Sequence, residues 1–126
     1  MNQQKFRKLK VWQKAISFIG EIYNLTNRFP KEEMFGLTTQ LRKAAVSIAL
    51  NIAEGSGAGS DNEFKRFLNF SLRSSYEVMS GIEIAKVLRY WDDTKTEDLL
   101  KKCDELAAML NGLKVNLRSY HSPAEC

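Results

Sequence analysis

Apolar residues recur along the chain at spacings of three and four, in four runs separated by short polar breaks. In the first run Val11, Ala15, Phe18, Ile22, Leu25 and Phe29 fall on one stripe of a helix. Trp12, Ile16, Ile19 and Tyr23 form a second row, so the apolar face is wider than one partner helix needs. Phe29-Pro30 ends the run, because the residue before a proline avoids the α region. The second run extends from about Lys31 to Glu54, with Glu32 and Glu33 suited to a helix start and Leu37, Leu41, Ala44 or Ala45, Ile48 and Ile52 inward. Gly55-Ser56-Gly57-Ala58-Gly59 reads as a flexible connector.

Ser60 to Glu63 has the spacing of a capping box. The third run follows, with Phe64, Phe67, Leu68, Ser71, Val78, Ile82, Ala85 and Leu88 inward, and reaches about Trp91. At 1.5 Å per residue that predicts a helix of roughly 45 Å. Asp92-Asp93 breaks it, and Thr94 to Glu97 offers a second capping box. Leu99, Cys103, Leu106, Leu110, Leu113 and Leu117 then repeat in a heptad row. No stretch alternates with period two, so no strand is predicted. Short connectors favour an all-α, antiparallel up-down-up-down four-helix bundle over residues 11–119, with a basic arm at 1–10 and a flexible tail at 120–126. Gly20, Gly36, Gly81 and Gly112 fall within the predicted helices; close helix contact would offset their cost, and neutral drift is the alternative.

The composition, 126 residues with 44% apolar and 27% charged, fits one ordinary globular domain. No window is long and apolar enough for a membrane span, and MNQQKFRKLK is not a secretory leader, so a cytoplasmic protein without membrane contact is expected. Cys103 and Cys126 have no metal or redox spacing, and His121 is the single histidine. Zinc, di-iron and Ser/His or Cys/His nucleophile systems therefore lack their parts. No catalytic residue, metal or cofactor is expected. A carboxylate enzyme would need a deep acidic pocket around Glu54 or Glu77. The Gly55–Gly59 stretch follows a helix and precedes Ser60-Asp61, unlike a nucleotide-binding loop.

Charge changes the picture more. The net charge is +4, yet Lys5, Arg7, Lys8, Lys10 and Lys14 put five cations into the first fourteen residues without an acid. Such a segment is a candidate for polyanion contact, a solvated terminus being the alternative. Arg42-Lys43 and Lys65-Arg66 would assist it, while Arg73, Lys114 and others read as scattered. One arm neutralising ~4 phosphates would bind weakly, and copies arranged on an oligomer would gain by avidity. Ser47, Asn51 and Glu54, with Ser71, Ser74, Ser75 and Glu77, place polar groups beside apolar rows. The expected role, for Ser47, Asn51, Glu54, Ser71 and Ser75 in particular, is an interhelical hydrogen-bond staple rather than a pocket.

Several strings resemble one family: Phe6-x-x-Leu9-x-Val11-Trp12, Phe29-Pro30-x-x-Glu33-x-Phe35-Gly36-Leu37, the run from Gln40 to Gly55, and Glu63-x-x-Arg66-Phe67-Leu68. Together they are similar to the four-helix-bundle proteins encoded in intervening sequences of bacterial 23S rRNA genes, a family that includes the accessory variability determinant of diversity-generating retroelements. The resemblance covers about residues 5 to 118. It implies a barrel-like homopentamer with a basic surface, association with RNA or DNA, in one branch a reverse-transcriptase partner, and neither catalysis nor a cofactor. Arg42, Lys43, Asn51, Glu54 and Arg66 are the positions it carries over. This chain departs from the pattern at Ala58, where a basic residue is common, and near Ser74-Ser75, where a Gly-Ser pair is usual. The expectation is a non-enzymatic, oligomeric bundle that binds RNA or DNA through phosphates. The alternative is a protein-interaction module or scaffold that does not touch nucleic acid.

Overall fold

The structure is a computed structural model that describes residues 4–117. A 3-10 turn at Lys5–Lys8 leads into α1 (Lys10–Thr26). A second 3-10 turn at Lys31–Glu33 precedes α2 (Leu37–Ser56), and α3 (Asp61–Val87) and α4 (Asp93–Leu117) follow. The helices pack as a four-helix bundle, and the described residues contain no strand. The expected tail, with His121 and Cys126, lies outside the described residues.

The inward rows are those the periodicity predicts except at Leu88, which is exposed because α3 ends just before it. Val11, Ala15, Phe18, Ile22 and Leu25 of α1 meet Leu41, Ala45, Ile48 and Ile52 of α2 in one core with Leu68, Val78, Ile82, Leu99, Cys103, Leu106 and Leu110. Burial pushes the Cys103 thiol up to about 12, with Asp104 adding to it, so this sulfur is a core atom and not a nucleophile. The second row of α1 splits: Trp12 and Ile19 pack against the core, while Ile16 and Tyr23 face solvent.

Helix ends depart from the sequence expectation for identifiable reasons. α2 begins at Leu37, six residues beyond Lys31, because Glu33 folds back to cap it: its carboxylate accepts from the Leu37 amide at 3.1 Å and from the Tyr90 hydroxyl at 2.7 Å. These two donors hold the Glu33 carboxyl below its ordinary pKa, and the same carboxylate raises that of Tyr90. α3 stops at Val87, short of Trp91, in a Schellman turn. The Tyr90 amide donates to the Ala85 carbonyl at 3.0 Å and the Arg89 amide to Lys86 at 3.1 Å, with Arg89 left-handed at φ 60°. Ser60 caps α3 as predicted, accepting from the Glu63 amide at 3.1 Å. The Glu63 carboxylate instead takes Arg66. The cap of α4 is Asp92, whose Oδ1 accepts from Lys95 at 2.8 Å, two residues ahead of the expected Thr94.

Two glycines set the distance between α2 and α3, the most extensive helix contact. A Cβ on Gly81 would lie 2.6 Å from Leu41 Cδ2. One on Gly55 would lie 2.8 Å from both Phe64 Cδ1 and Phe67 Cβ. Gly55 is therefore a packing residue in the last turn of α2 rather than part of a flexible connector. Gly36 precedes α2 as its cap, and Gly20 and Gly112 face open space, so of the four glycines predicted within helices only Gly81 serves close contact between helices, and Gly55 joins it.

Candidate nucleic-acid interface

The polar residues between α2 and α3 form a compact hydrogen-bond cluster. Asn51 Nδ2 donates to the Ser47 carbonyl and hydroxyl, both at 2.9 Å, and Ser74 Oγ donates to Ser47 Oγ at 2.9 Å. Ser71, fully buried, donates to the Ile48 carbonyl. Ser75 bonds within its own helix, to Leu72 at 2.7 Å, while its carbonyl accepts from Cys103 Sγ at 3.4 Å. Ser74 thus makes the interhelical bond expected of Ser75, and Glu54 stands outside the cluster as an exposed side chain. Of the two serines, Ser74 ties α3 to α2 through its hydroxyl, while the hydroxyl of Ser75 stays within α3.

Glu54 and Glu77 do not share a deep acidic pocket with the cluster among the described residues. Glu77 is exposed, and Glu54 lines an open groove of about 600 Å³ with Tyr23, Arg42, Lys43, Val46, Ser47, Leu50 and Asn51. Among the described residues no group of three or more His, Cys, Asp or Glu could hold a metal ion. No helix among them is long and apolar enough to cross a membrane.

The described part of the basic arm, residues 4–10, is folded. Its backbone forms the 3-10 turn, Gln13 Nε2 donates to the Arg7 carbonyl at 2.7 Å, and the Phe6 ring meets Trp12 edge-on at 5.0 Å. Lys5 lines an open surface cavity with Gly55, Gly59, Ser60, Asp61 and Phe64, and the turn packs on α2, which places it beside the α2–α3 connector. Lys5, Arg7, Lys8, Lys10 and Lys14 all remain exposed. Lys114, near the end of α4, donates to Asn69 of α3 at 2.6 Å. These contacts bring the arm, the connector, the first half of α3 and the end of α4 to one end of the bundle.

The half of the molecule that contains this end is strongly cationic. Residues 4–17, 47–73 and 106–117 carry nine Lys or Arg against Glu54, Asp61 and Glu63. The remaining described residues carry nine against eleven acids. At this other end Lys102 sits 2.7 Å from Glu21 and 3.3 Å from Asp98, and Lys86 pairs with Glu97. Their carboxylate partners raise the pKa of both lysines.

Arg42 and Lys43 do not join the cationic end. They lie about 22 Å from the connector along α2, taking 1.5 Å per residue. Arg42 is engaged there: Nε donates to Thr26 Oγ1 at 2.8 Å, Nη2 donates to Asn27 Oδ1 at 2.9 Å, and the guanidinium lies over the Tyr23 ring at 4.5 Å. It ties the end of α1 to the start of α2. Of the cations that sequence spacing leaves scattered, Lys114 joins the cationic end through Asn69, and Arg73 lies about 18 Å along α3 from its start, near mid-helix on the cationic half. The run from Phe64 to Tyr76, free of acids, is the signal that marks Arg73.

A family model described as 23S rRNA-intervening sequence protein matches residues 7–112. The chain belongs to this family. Its matched span takes in all of α1, α2 and α3 and most of α4. A crystal structure of a protein of unknown function from the S23 ribosomal protein family of Bacteroides thetaiotaomicron has the same fold, with a TM-score of 0.77. It is 24% identical and aligns over 82% of this chain and 97% of its own. No curated protein matches the chain.

Proposed function

We propose that this member of the 23S rRNA-intervening sequence protein family is a cytoplasmic, non-enzymatic bundle that self-associates and binds RNA or DNA through phosphates at its cationic end. The observation that carries this reading is the surplus of nine basic over three acidic residues in one half of the molecule. Lys5, Arg7, Lys8, Lys10 and Lys14 supply most of it, with Lys65, Arg66, Arg73 and Lys114 alongside. The family's name, which ties it to 23S rRNA, supports an RNA context. Exposed Ile16, Tyr23 and Leu50 support self-association, with the homopentamer as the expected form. Assembly multiplies cationic ends, and avidity then compensates for weak single contacts. Binding of a structured RNA and a DNA duplex at 50 mM salt tests the reading, and undetectable binding to both removes it. Light scattering tests the assembly, and a monomer at micromolar concentration contradicts it.

One observation favours the second reading, a protein-interaction module. Phe35 is 97% exposed, beside exposed Met34, on a loop braced by Glu33. A protein anchor of this kind predicts capture of a partner that survives nuclease treatment and removal of the arm.

A further inference from the structure

We infer that the outward face of α3 from Arg66 to Tyr76 is a stacking platform for single-stranded nucleic acid. The inference rests on the nucleic-acid reading above and adds the strand state and the site.

Residues 64–76 hold three cations and four aromatic residues with no acid. Arg66, Asn69, Arg73 and Tyr76 recur at i, i+3, i+7 and i+10, and all four are exposed, so they share one stripe. The stripe is about 15 Å long, room for about four nucleotides at the ~3.4 Å stacked spacing. Behind it Phe67 and Phe70 meet edge to face at 5.7 Å. The Arg66 guanidinium lies over both rings, 5.2 and 5.3 Å from their centroids, and that of Arg73 lies over Phe70 at 5.9 Å. Rings that hold guanidiniums in place reduce the ordering cost of binding. The Arg66 side chain remains 55% exposed, so its guanidinium is accessible to phosphate. Lys114, held by Asn69, adds a cation on the α4 side.

The strand state follows from the aromatic component. A duplex conceals its base faces and offers phosphates, for which an exposed ring has little use. Tyr76 is 54% exposed at the end of the cationic stripe, where an aromatic ring is the group on which an unpaired base would stack. Guanidinium planes stack on bases as well. Just before the stripe Glu63 is the competitor, accepting from Arg66 Nη2 at 3.1 Å and Nε at 3.3 Å. A phosphate would take its place.

The test is fluorescence anisotropy of the full chain with twelve-nucleotide oligo-uridine, oligo-thymidine and a duplex of equal length, at 50 mM salt. The single strands are expected to bind tighter than the duplex, and comparing the two single strands separates RNA from DNA preference. Tyr76→Leu should weaken single-strand binding roughly tenfold while leaving duplex binding and the salt slope unchanged. Arg73→Lys, which keeps the charge and loses the plane, should also weaken it. Glu63→Gln should strengthen it. Unaltered single-strand affinity in Tyr76→Leu and Arg73→Lys, with binding lost on neutralising the arm, overturns the platform and leaves the phosphate reading intact. Equal binding of duplex and single strand also overturns it. Failure of every nucleic acid to bind overturns both.

Discussion

Replacing Gly81 by alanine tests the packing argument against helix propensity. In an exposed helix interior, glycine to alanine stabilises by about 1 kcal/mol. Gly20 in α1 and Gly112 in α4 meet that condition, since an added Cβ finds nothing within 4 Å at either. At Gly81 the Cβ would stand 2.6 Å from Leu41 Cδ2 and 2.9 Å from Leu41 Cγ. Leu41 is fully buried among Ile48, Ile82 and their neighbours, so its branch has little room to rotate away. Overpacking of a tight core costs about 1–3 kcal/mol, which exceeds the propensity gain or cancels it. Gly81→Ala should therefore destabilise by about 1 kcal/mol net, lowering Tm by roughly 3–5 °C for a domain of this size. Gly20→Ala and Gly112→Ala should raise it. Urea and thermal unfolding at one fixed protein concentration measure all three, because assembly would make Tm concentration-dependent. If Gly81→Ala stabilises as much as the other two, α2 and α3 do not approach through this glycine and the packing account fails.

Other outcomes follow from particular side chains. Arg89→Gly should stabilise by about 0.5–1 kcal/mol, since Arg89 holds the left-handed position of a Schellman turn that glycine occupies without steric cost; a loss of stability in urea unfolding would refute this. The Glu33–Tyr90 bond makes stability fall at both pH extremes. Glu33 is depressed when folded, so its contribution holds above the ordinary carboxylate range and fades as pH drops through the lowered value. Tyr90 is raised, so its contribution holds below the ordinary tyrosine pKa and fades as pH climbs through the higher value. The stability difference between wild type and Tyr90→Phe, followed against pH, should be level in the middle and shrink at each end. In a Cys126→Ser background, Cys103 should resist thiol labelling at pH 8 until the protein unfolds, and prompt labelling would contradict its burial.

Spacing along a helix is legible in sequence because 3.6-residue periodicity is local, and so the inward rows from Val11 to Leu110 follow it wherever the helix continues, failing at Leu88, where α3 has already ended. Helix ends depend on partners elsewhere. Glu33 delays α2 by accepting from Tyr90, 57 residues away, and Arg89 ends α3 without the glycine that marks such turns. The cationic end needs tertiary contact to be seen. Arg42 and Lys43 have the same composition as Lys65 and Arg66, yet the fold of α2 carries them to the other end, where Thr26 and Asn27 engage Arg42. Lys114 joins the cationic end through Asn69, a pairing no local pattern encodes. The polar cluster was readable from Ser47 and Asn51 in sequence. The preference for Ser74 over Ser75, and the outward placement of Glu54, depend on how α3 is rotated against α2.

Affinity for a structured RNA across salt concentration, compared among three proteins, addresses the location of binding most directly. These are the wild type, a variant with Lys5, Arg7, Lys8, Lys10 and Lys14 changed to Gln, and Lys43→Gln at the opposite end. Wild-type binding should weaken about 100-fold between 50 and 200 mM salt, with the arm contributing a slope of about −3 to −4. The arm variant should lose most of that slope and Lys43→Gln almost none. A flat salt response in the wild type, or equal slopes in wild type and arm variant, would contradict the assignment of nucleic-acid binding to the cationic end.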